Sequence, residues 1–494
     1  MVTELLCINK SVYDKNLTKI KIAGRFIVNM SIFNNVKRQY WTAGGYLEFL
    51  KIAVPLIVST SVGAIQLFIN RTFLSLYSQE TFAASAPAGI SNWAIVTLFL
   101  GTLAYVDVFV AQYYGKGEYQ EIGPSIWQSV YLALIAAFVI LCISFLSENI
   151  FMNIGHPYAV ACEEVKFFKV LCYGAFPTLS VAALSGFYAG RGKTKVVLLV
   201  GVCGVIINII LDVCLIFGYL GFPRLGILGS AWSSNISSTI MFIIYVFMII
   251  AKSNSVYNTR CIKPNFNFMK RLLRYGFPNG VQFFFDMTGF GIFILIVGTL
   301  GITELTASNI VLNVNNLIVM PLVGCGMAIS IMVGNYLGKN ETSLAKISVK
   351  SATHIMYAYS VIVIFILILL SNKLFYPFSY GSQVLLMDRV KPMAVNLLKI
   401  LAIYLIFDTT GIIFASAIKG AGDTVFIMKV LTIFTVIFVI IPTYLIVIVF
   451  KFGMYAAWCF MLTYSIALAI NFYCRYRSGK WKRMRVIDMN VVDD

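Results

Sequence analysis

Twelve long apolar runs follow one another along this 494-residue chain, and they decide what it can fold into. They lie near residues 49–71, 84–112, 124–147, 165–189, 196–220, 227–251, 276–299, 305–337, 349–371, 393–418, 425–449 and 453–474. A helix rises about 1.5 Å per residue, so about 20 apolar residues cross the roughly 30 Å hydrocarbon layer of a bilayer. Each run is long enough to do so. With 60% of residues hydrophobic and only 12% charged, roughly half the charged share of a soluble domain, a water-soluble fold is excluded. The expected fold is an all-α integral membrane protein of twelve transmembrane helices in a lipid bilayer.

A net charge of +18 invites a nucleic-acid reading, but the basic residues are scattered between the apolar runs and form no patch. No nucleic-acid partner is expected. Sorted by alternate loops, 29 of the 38 Lys and Arg fall on the side of the two termini. Lys and Arg resist translocation, so this bias predicts both termini in the cytoplasm. Seven of the ten cysteines (Cys142, Cys172, Cys203, Cys214, Cys325, Cys459, Cys474) sit in or at the end of apolar runs without CxxC spacing and read as small core residues. His156 and His354 are the only imidazoles, and neither has a Cys or a second His close in sequence to build a metal site. The first 46 residues hold seven Lys or Arg and no long apolar stretch, so they read as a cytoplasmic leader and not a signal peptide. Met30 begins a shorter segment that still precedes the first span, which makes residues 1–29 candidates for a dispensable extension.

The chain also repeats itself. Val110-Ala-Gln-Tyr-Tyr-Gly-Lys-Gly-Glu118 and Val333-Gly-Asn-Tyr-Leu-Gly-Lys-Asn-Glu341 agree at five of nine positions, 223 residues apart. Pro55 and Pro278 keep the same offset, as do Ala84-Ser85 and Ala307-Ser308. Gly190-Arg-Gly-Lys-Thr194 and Gly420-Ala-Gly-Asp-Thr424 match at an offset of 230, each after a fourth span. Two six-helix lobes are implied. Six is even, so both lobes enter the membrane in one orientation and the pseudo-two-fold axis runs along the membrane normal. The expected organisation is a leader (1–46), an N-lobe (47–251), a cytoplasmic linker (252–274), a C-lobe (275–475) and a cytoplasmic tail (476–494).

An ionised carboxylate in hydrocarbon costs on the order of 3 kcal/mol or more, so an Asp deep in a span needs a reason. Four occur: Asp107, Asp212, Asp286 and Asp408. Asn208, Gln282 and Tyr404 stand one turn before Asp212, Asp286 and Asp408, and residues at i and i+4 share a helix face. Gln66 and Asn70 repeat the spacing without a charge. Asp286 and Asp408 fall about 15 Å deep at 1.5 Å per residue, near the midplane, so both can face one cavity. A like charge nearby disfavours a second ionisation, which suits reversible proton uptake; the same oxygens with Gln282 or Thr409 suit sodium. The alternative is that each Asp only fixes helix packing. Asn70 and Asp212 are expected to meet in an N-lobe cavity. Asp107, near the cytoplasmic end of its span, reads equally as a gate or as packing against Lys116. Asn309, Asn313 and Asn316 form a polar stripe at helical spacing that either lines a C-lobe cavity or bonds a neighbouring helix.

The Gly-Arg-Gly-Lys-Thr at 190–194 lacks the upstream Gly of a phosphate loop and reads as a tight turn. Asp423 in the matching turn reads as solvated. Phe283-Phe284-Phe285 offers stacking faces for planar or cationic ligands, or else faces core or lipid.

Over roughly residues 45–475 the chain resembles the multidrug and toxic compound extrusion (MATE) transporters. The resemblance rests on Val-Ala-Gln-Tyr-Tyr-Gly at 110–115, Asn208-Ile-Ile-Leu-Asp212, Leu225-Gly-Ile-Leu-Gly-Ser-Ala-Trp232 and Gly420-Ala-Gly-Asp-Thr424. It implies two lobes around a V-shaped cleft, and outward antiport of organic substrates against inward sodium or protons. It also implies that Asp286 and Asp408 match cation-binding carboxylates of the sodium-coupled bacterial branch, and that Asn208 and Asp212 match the N-lobe polar pair of the archaeal-type branch. Asn70 departs from that pattern, which usually has Asp there, and this shifts weight to Asp286 and Asp408.

The expected function is multidrug efflux by antiport, with no covalent chemistry and no cofactor or metal beyond a transported sodium ion. Small organic, cationic or neutral compounds are the expected cargo, and the protein is expected to act as a monomer in a bacterial inner membrane. The nearest rival is a lipid-linked oligosaccharide flippase, which calls for a basic cleft to pair with phosphates, whereas these spans carry acids. An intramembrane aspartyl protease would use two Asp as a dyad, but Asp286 and Asp408 lack the tight local motifs of one. A non-transporting scaffold leaves both the repeat and the midplane acids unexplained.

Overall fold

The computed structural model describes residues 41–153, 156–374 and 384–487. The leader through residue 40, Met30 included, and residues 488–494 of the tail lie outside them. Among the described residues eleven helices are long and apolar enough to cross a membrane. A twelfth span is a pair of helices bent by 44° at a one-residue break. In chain order the spans are α1 (Tyr46–Tyr77), α2 (Ala84–Lys116), α3 (Tyr119–Ser144), α4 (Tyr158–Tyr173 and Ala175–Ala189), α5 (Thr194–Phe217) and α6 (Ile227–Ile250). The second half gives α7 (Phe266–Gly298), α8 (Ile302–Gly338), α9 (Thr342–Leu369), α10 (Arg389–Ala421), α11 (Thr424–Val449) and α12 (Met454–Arg477). Several begin earlier than their apolar runs. In α7 the extra turns carry Lys270, Arg271 and Arg274, which an apolar window excludes although the helix continues through them.

The break in α4 shows how an irregular backbone is satisfied inside a bundle. Where the helix bends at Gly174, the Val170 carbonyl accepts from Asn235 Nδ2 of α6 at 2.6 Å. In an apolar layer an orphan carbonyl costs several kcal/mol, so this bond is what makes the bend tolerable. A Cβ at Gly174 would fall 1.9 Å from Asn235 Oδ1. Gly174→Ala is therefore expected to lower stability by about 1–3 kcal/mol, read as a drop of several degrees in the thermal midpoint of the detergent-solubilised protein.

Two apolar cores organise the molecule, and each borrows a helix base from the other half. The second-half core takes in Phe49, Ala53 and Leu56 of α1. The first-half core takes in Phe268, Met269 and Leu272 of α7. Phe49 and Leu272 are 223 residues apart, the offset of the sequence repeat. Glycines bring the crossing helices into backbone contact. A Cβ on Gly101 of α2 would lie 2.9 Å from Gly280 Cα of α7, and one on Gly324 of α8 would lie 2.7 Å from Ile57 Cα of α1. Asn279 Nδ2 of α7 donates to the Gly101 carbonyl at 2.6 Å, and Thr60 Oγ1 of α1 donates to the Met320 carbonyl of α8 at 3.1 Å.

The helices also meet backbone to backbone at a seam on the side of the most basic loops, called here the basic face. Gly115 and Gly338 each sit against the opposite helix: their Cβ positions lie 2.0 Å from the Asn335 carbonyl oxygen and 2.2 Å from that of Gln112. Farther out, Phe68 of α1 and Leu317 of α8 are exposed. Asn309, Asn313 and Asn316 of α8 are exposed as well.

Candidate functional site

Asp286 and Asp408 stand in the middle third of α7 and α10, half-buried, and act on each other electrostatically. The turn-earlier residues take the roles that their spacing predicts. Gln282 hydrogen-bonds Asp286, and Tyr404 OH donates to Asp408 Oδ1 at 3.3 Å. A cavity of about 10 Å³ opens beside Asp286, the size that holds roughly one water molecule. Phe285, Asp286, Thr435 and Tyr464 are among its walls. Thr435 Oγ1 and Tyr464 OH lie 3.3 Å apart, so polar residues of three helices border a space the size of about one water molecule.

The local backbone explains how Thr435 arrives there. It opens a π-helical stretch in α11, Thr435–Ile440, whose wider turn changes which residues face α7 from those of a regular helix. Gly289 leaves the room, since a Cβ there would lie 2.6 Å from Thr435 Cγ2. Thr435 and Tyr464 carry no sequence signal of their own; only a three-dimensional contact selects them.

Thr409 does not join this site. Consecutive residues point about 100° apart on a helix, and Thr409 is fully buried on the α9 side, 2.7 Å from Ser360 Oγ. Asp107 does not pair with Lys116, whose ammonium lies 2.8 Å from Glu118 Oε1. Instead it falls within electrostatic range of Lys419. Lys419 was counted with the loop because its apolar run stops at 418, yet α10 continues to Ala421 and carries the ammonium inward over the Phe283 ring at 5.1 Å. It acts on both Asp107 and Asp286, so one lysine spans the acids of the two lobes. Asp423, expected in solvent, is 8% exposed and is bonded by Arg475 Nε at 2.6 Å. The turn packs against the end of α12, which removes it from water.

In the N-lobe, Asn70, Asn208 and Asp212 do converge. With the Asn70 amide oriented so that donor meets acceptor, its nitrogen reaches Asp212 Oδ2 at 2.6 Å and Asn208 Oδ1 at 3.0 Å. Asn208 in turn donates to Ser234 Oγ at 3.4 Å. Asp212 is fully buried. Among the described residues no group of three or more His, Cys, Asp or Glu is arranged to hold a metal ion.

Comparison with known proteins turns on the duplicated architecture. The MatE family model matches this chain twice, over residues 52–214 and 278–445, once in each half. The chain belongs to the MATE transporter family. MATE proteins are transporters and not an enzyme class. The chain is similar to a probable multidrug resistance protein NorM of Thermotoga maritima, 25% identical over 459 residues that cover 90% of this chain and 95% of that protein. It is 27% identical over 381 residues to multidrug resistance protein NorM of Vibrio cholerae, covering 76% and 82%. A solved MOP-superfamily transporter from Pyrococcus furiosus shares the fold with a TM-score of 0.81 at 18% identity, covering 91% of this chain and 99% of that one. The eukaryotic MATE transporter AtDTX14 does so with a TM-score of 0.79 at 20% identity, covering 88% and 96%. Twelve spans in two repeated lobes are thus the MATE fold, and the chain is a multi-pass membrane protein.

Proposed function

We propose that the protein exports small organic compounds, cationic or neutral, in exchange for sodium ions or protons moving inward. In this reading it works as a monomer in a bacterial inner membrane, with the basic face and both termini in the cytoplasm. The observation that carries the proposal is the electrostatic coupling of Asp286 to Asp408 in the middle of α7 and α10, with a cavity the size of one water molecule beside Asp286. The NorM relatives, described as multidrug resistance proteins, support the class of cargo. The pair of midspan acids supports it too, since two carboxylates favour a cation over the phosphates of a lipid-linked sugar.

The mechanism follows from differential affinity. A cation bound between Asp286 and Asp408, with Gln282, Tyr404, Thr435 and Tyr464 around it, neutralises the acids that hold a cationic cargo and favours one lobe arrangement. Cargo favours the other. Each ligand shifts the equilibrium only by its difference in affinity for the two states, so loading one drives release of the other. The N-lobe trio Asn70, Asn208 and Asp212 offers a second polar site, and Asp107 with Lys419 relays charge between lobes near the cytoplasmic end.

The direct test is ethidium efflux from proteoliposomes under an imposed sodium gradient and, separately, a proton gradient. Acceleration by one of them is expected and names the coupling ion. No response to either, with correctly inserted protein, would overturn the antiport reading.

A further inference from the structure

Residues at both ends of the described chain cross the seam on the cytoplasmic face. At the base of α1, Glu48 Oε2 accepts from Tyr336 OH of α8 at 2.7 Å and from Gly44 N at 2.8 Å. At the base of α7, Arg271 donates to Tyr113 OH of α2. These two bonds are one contact used twice. Glu48 and Arg271 are 223 residues apart, as are Tyr336 and Tyr113, so each lobe's first helix holds the tyrosine at the end of the other lobe's second helix. One copy uses an acid and the other a base.

The segment after α12 has no such twin and adds a third bond across the same seam. Gly479 turns the chain at φ +74°, and Trp481 stacks on Tyr476 with ring centroids 5.1 Å apart, which anchors the segment to its own lobe. It then runs to the other lobe. Val486 N donates to Gln112 Oε1 of α2 at 2.8 Å, while Gln112 Nε2 donates to the Gly420 carbonyl of α10 at 3.0 Å. Arg271 also donates to the Ile487 carbonyl at 3.1 Å. Val486 is fully buried and joins the first-half core. A side-chain amide with both ends committed across the seam exists only while the lobes are together there, and Val486 is wedged at the same joint between Gly422 of its own lobe and the first-half core.

We propose that residues 480–487 are an inner strap which, with Gln112 and the paired Glu48–Tyr336 and Arg271–Tyr113 bonds, holds the cytoplasmic seam shut and must lift before cargo can enter from the cytoplasm. The proposal rests on the two-state exchange reading above. The strap belongs to the C-lobe by Trp481 and meets the N-lobe through the Val486 N–Gln112 bond and the burial of Val486 and Ile487, so it peels from that end. Bonds present in one state and absent in the other set the equilibrium between them, and each is expected to shift it roughly fivefold.

Hydrogen exchange on the protein in nanodiscs tests this without cargo or gradient. Two variants are compared with the native chain: one ending at Gly479, and full-length Val486→Asp, which keeps the tail but not its burial. In both, exchange is expected to rise roughly fivefold or more at the seam helix ends, 108–117 and 333–341, and to fall at the outer ends of α1 and α7 as the outer mouth closes. No change at the seam in either variant would overturn the strap. Faster exchange on both faces would overturn it as well, since that is general loosening and not a shift between states. Absence of gradient-driven efflux in the native protein would instead count against the transport reading and would leave this measurement intact.

Discussion

Asp408→Asn is expected to abolish gradient-driven ethidium efflux while the protein still inserts at native levels. Asparagine keeps the size of the side chain and an oxygen to accept from Tyr404 OH, which lies 3.3 Å from Asp408 Oδ1. What it removes is the negative charge and the capacity to take up a proton. Asp408 is half-buried beside Asp286, where a cation gains most from a carboxylate because little water competes. A coupling of about 1–3 kcal/mol between ion and cargo corresponds to a 5–150-fold effect, and losing one of two acids should remove most of it. Asp286→Asn should behave alike. Tyr404→Phe should be far milder, since it deletes a donor and leaves both charges. Initial efflux rates in proteoliposomes, with cargo binding measured in parallel, separate coupling from recognition. Native rates in Asp408→Asn would move the coupling site to Asp212 in the other lobe.

Much of this arrangement was legible in the sequence, for a physical reason. In a bilayer a helix must satisfy its own backbone, so hydropathy alone marks the spans, and a duplicated chain marks its own symmetry. The i, i+4 companions were legible because helix geometry is local: Tyr404 does meet Asp408, and Gln282 meets Asp286. Contacts between helices were not. Thr435, on a π-helical stretch that no spacing announces, and Tyr464 of α12 line the cavity beside Asp286. Thr409 sits next to the right residue and therefore on the wrong face. Lys419 falls outside the apolar window because its charge ends it, although α10 continues to Ala421 and the lysine is part of the helix. Asp423 was judged by its turn alone, whereas its environment is set by Arg475, 52 residues on.

The same limit applied to the glycines, which in the sequence are repeat markers and in the fold are the seam itself. Gly115→Leu and Gly338→Leu are each expected to reduce transport to background, and by similar amounts. In the closed arrangement a Cβ at Gly115 would stand 2.0 Å from the Asn335 carbonyl oxygen, and one at Gly338 would stand 2.2 Å from that of Gln112. The obstacle is backbone on the opposing helix and not a side chain that can turn away. Overpacking in a rigid interior costs about 1–3 kcal/mol where neighbours relax; here the lobes themselves are free to part. The wedge is thus relieved by opening the seam on the basic face, which leaves each lobe folded and, in the orientation proposed above, shifts the population toward the inward-open state. Gly63→Leu and Gly291→Leu are the controls, since both are helical and a Cβ at either meets nothing within 4 Å; they should retain most of the native rate. Equal loss in the two seam variants, with native expression and native thermal midpoints, would tie alternation to this reciprocal contact. Native transport by either one would mean that the glycines are packing detail and that the seam closes elsewhere.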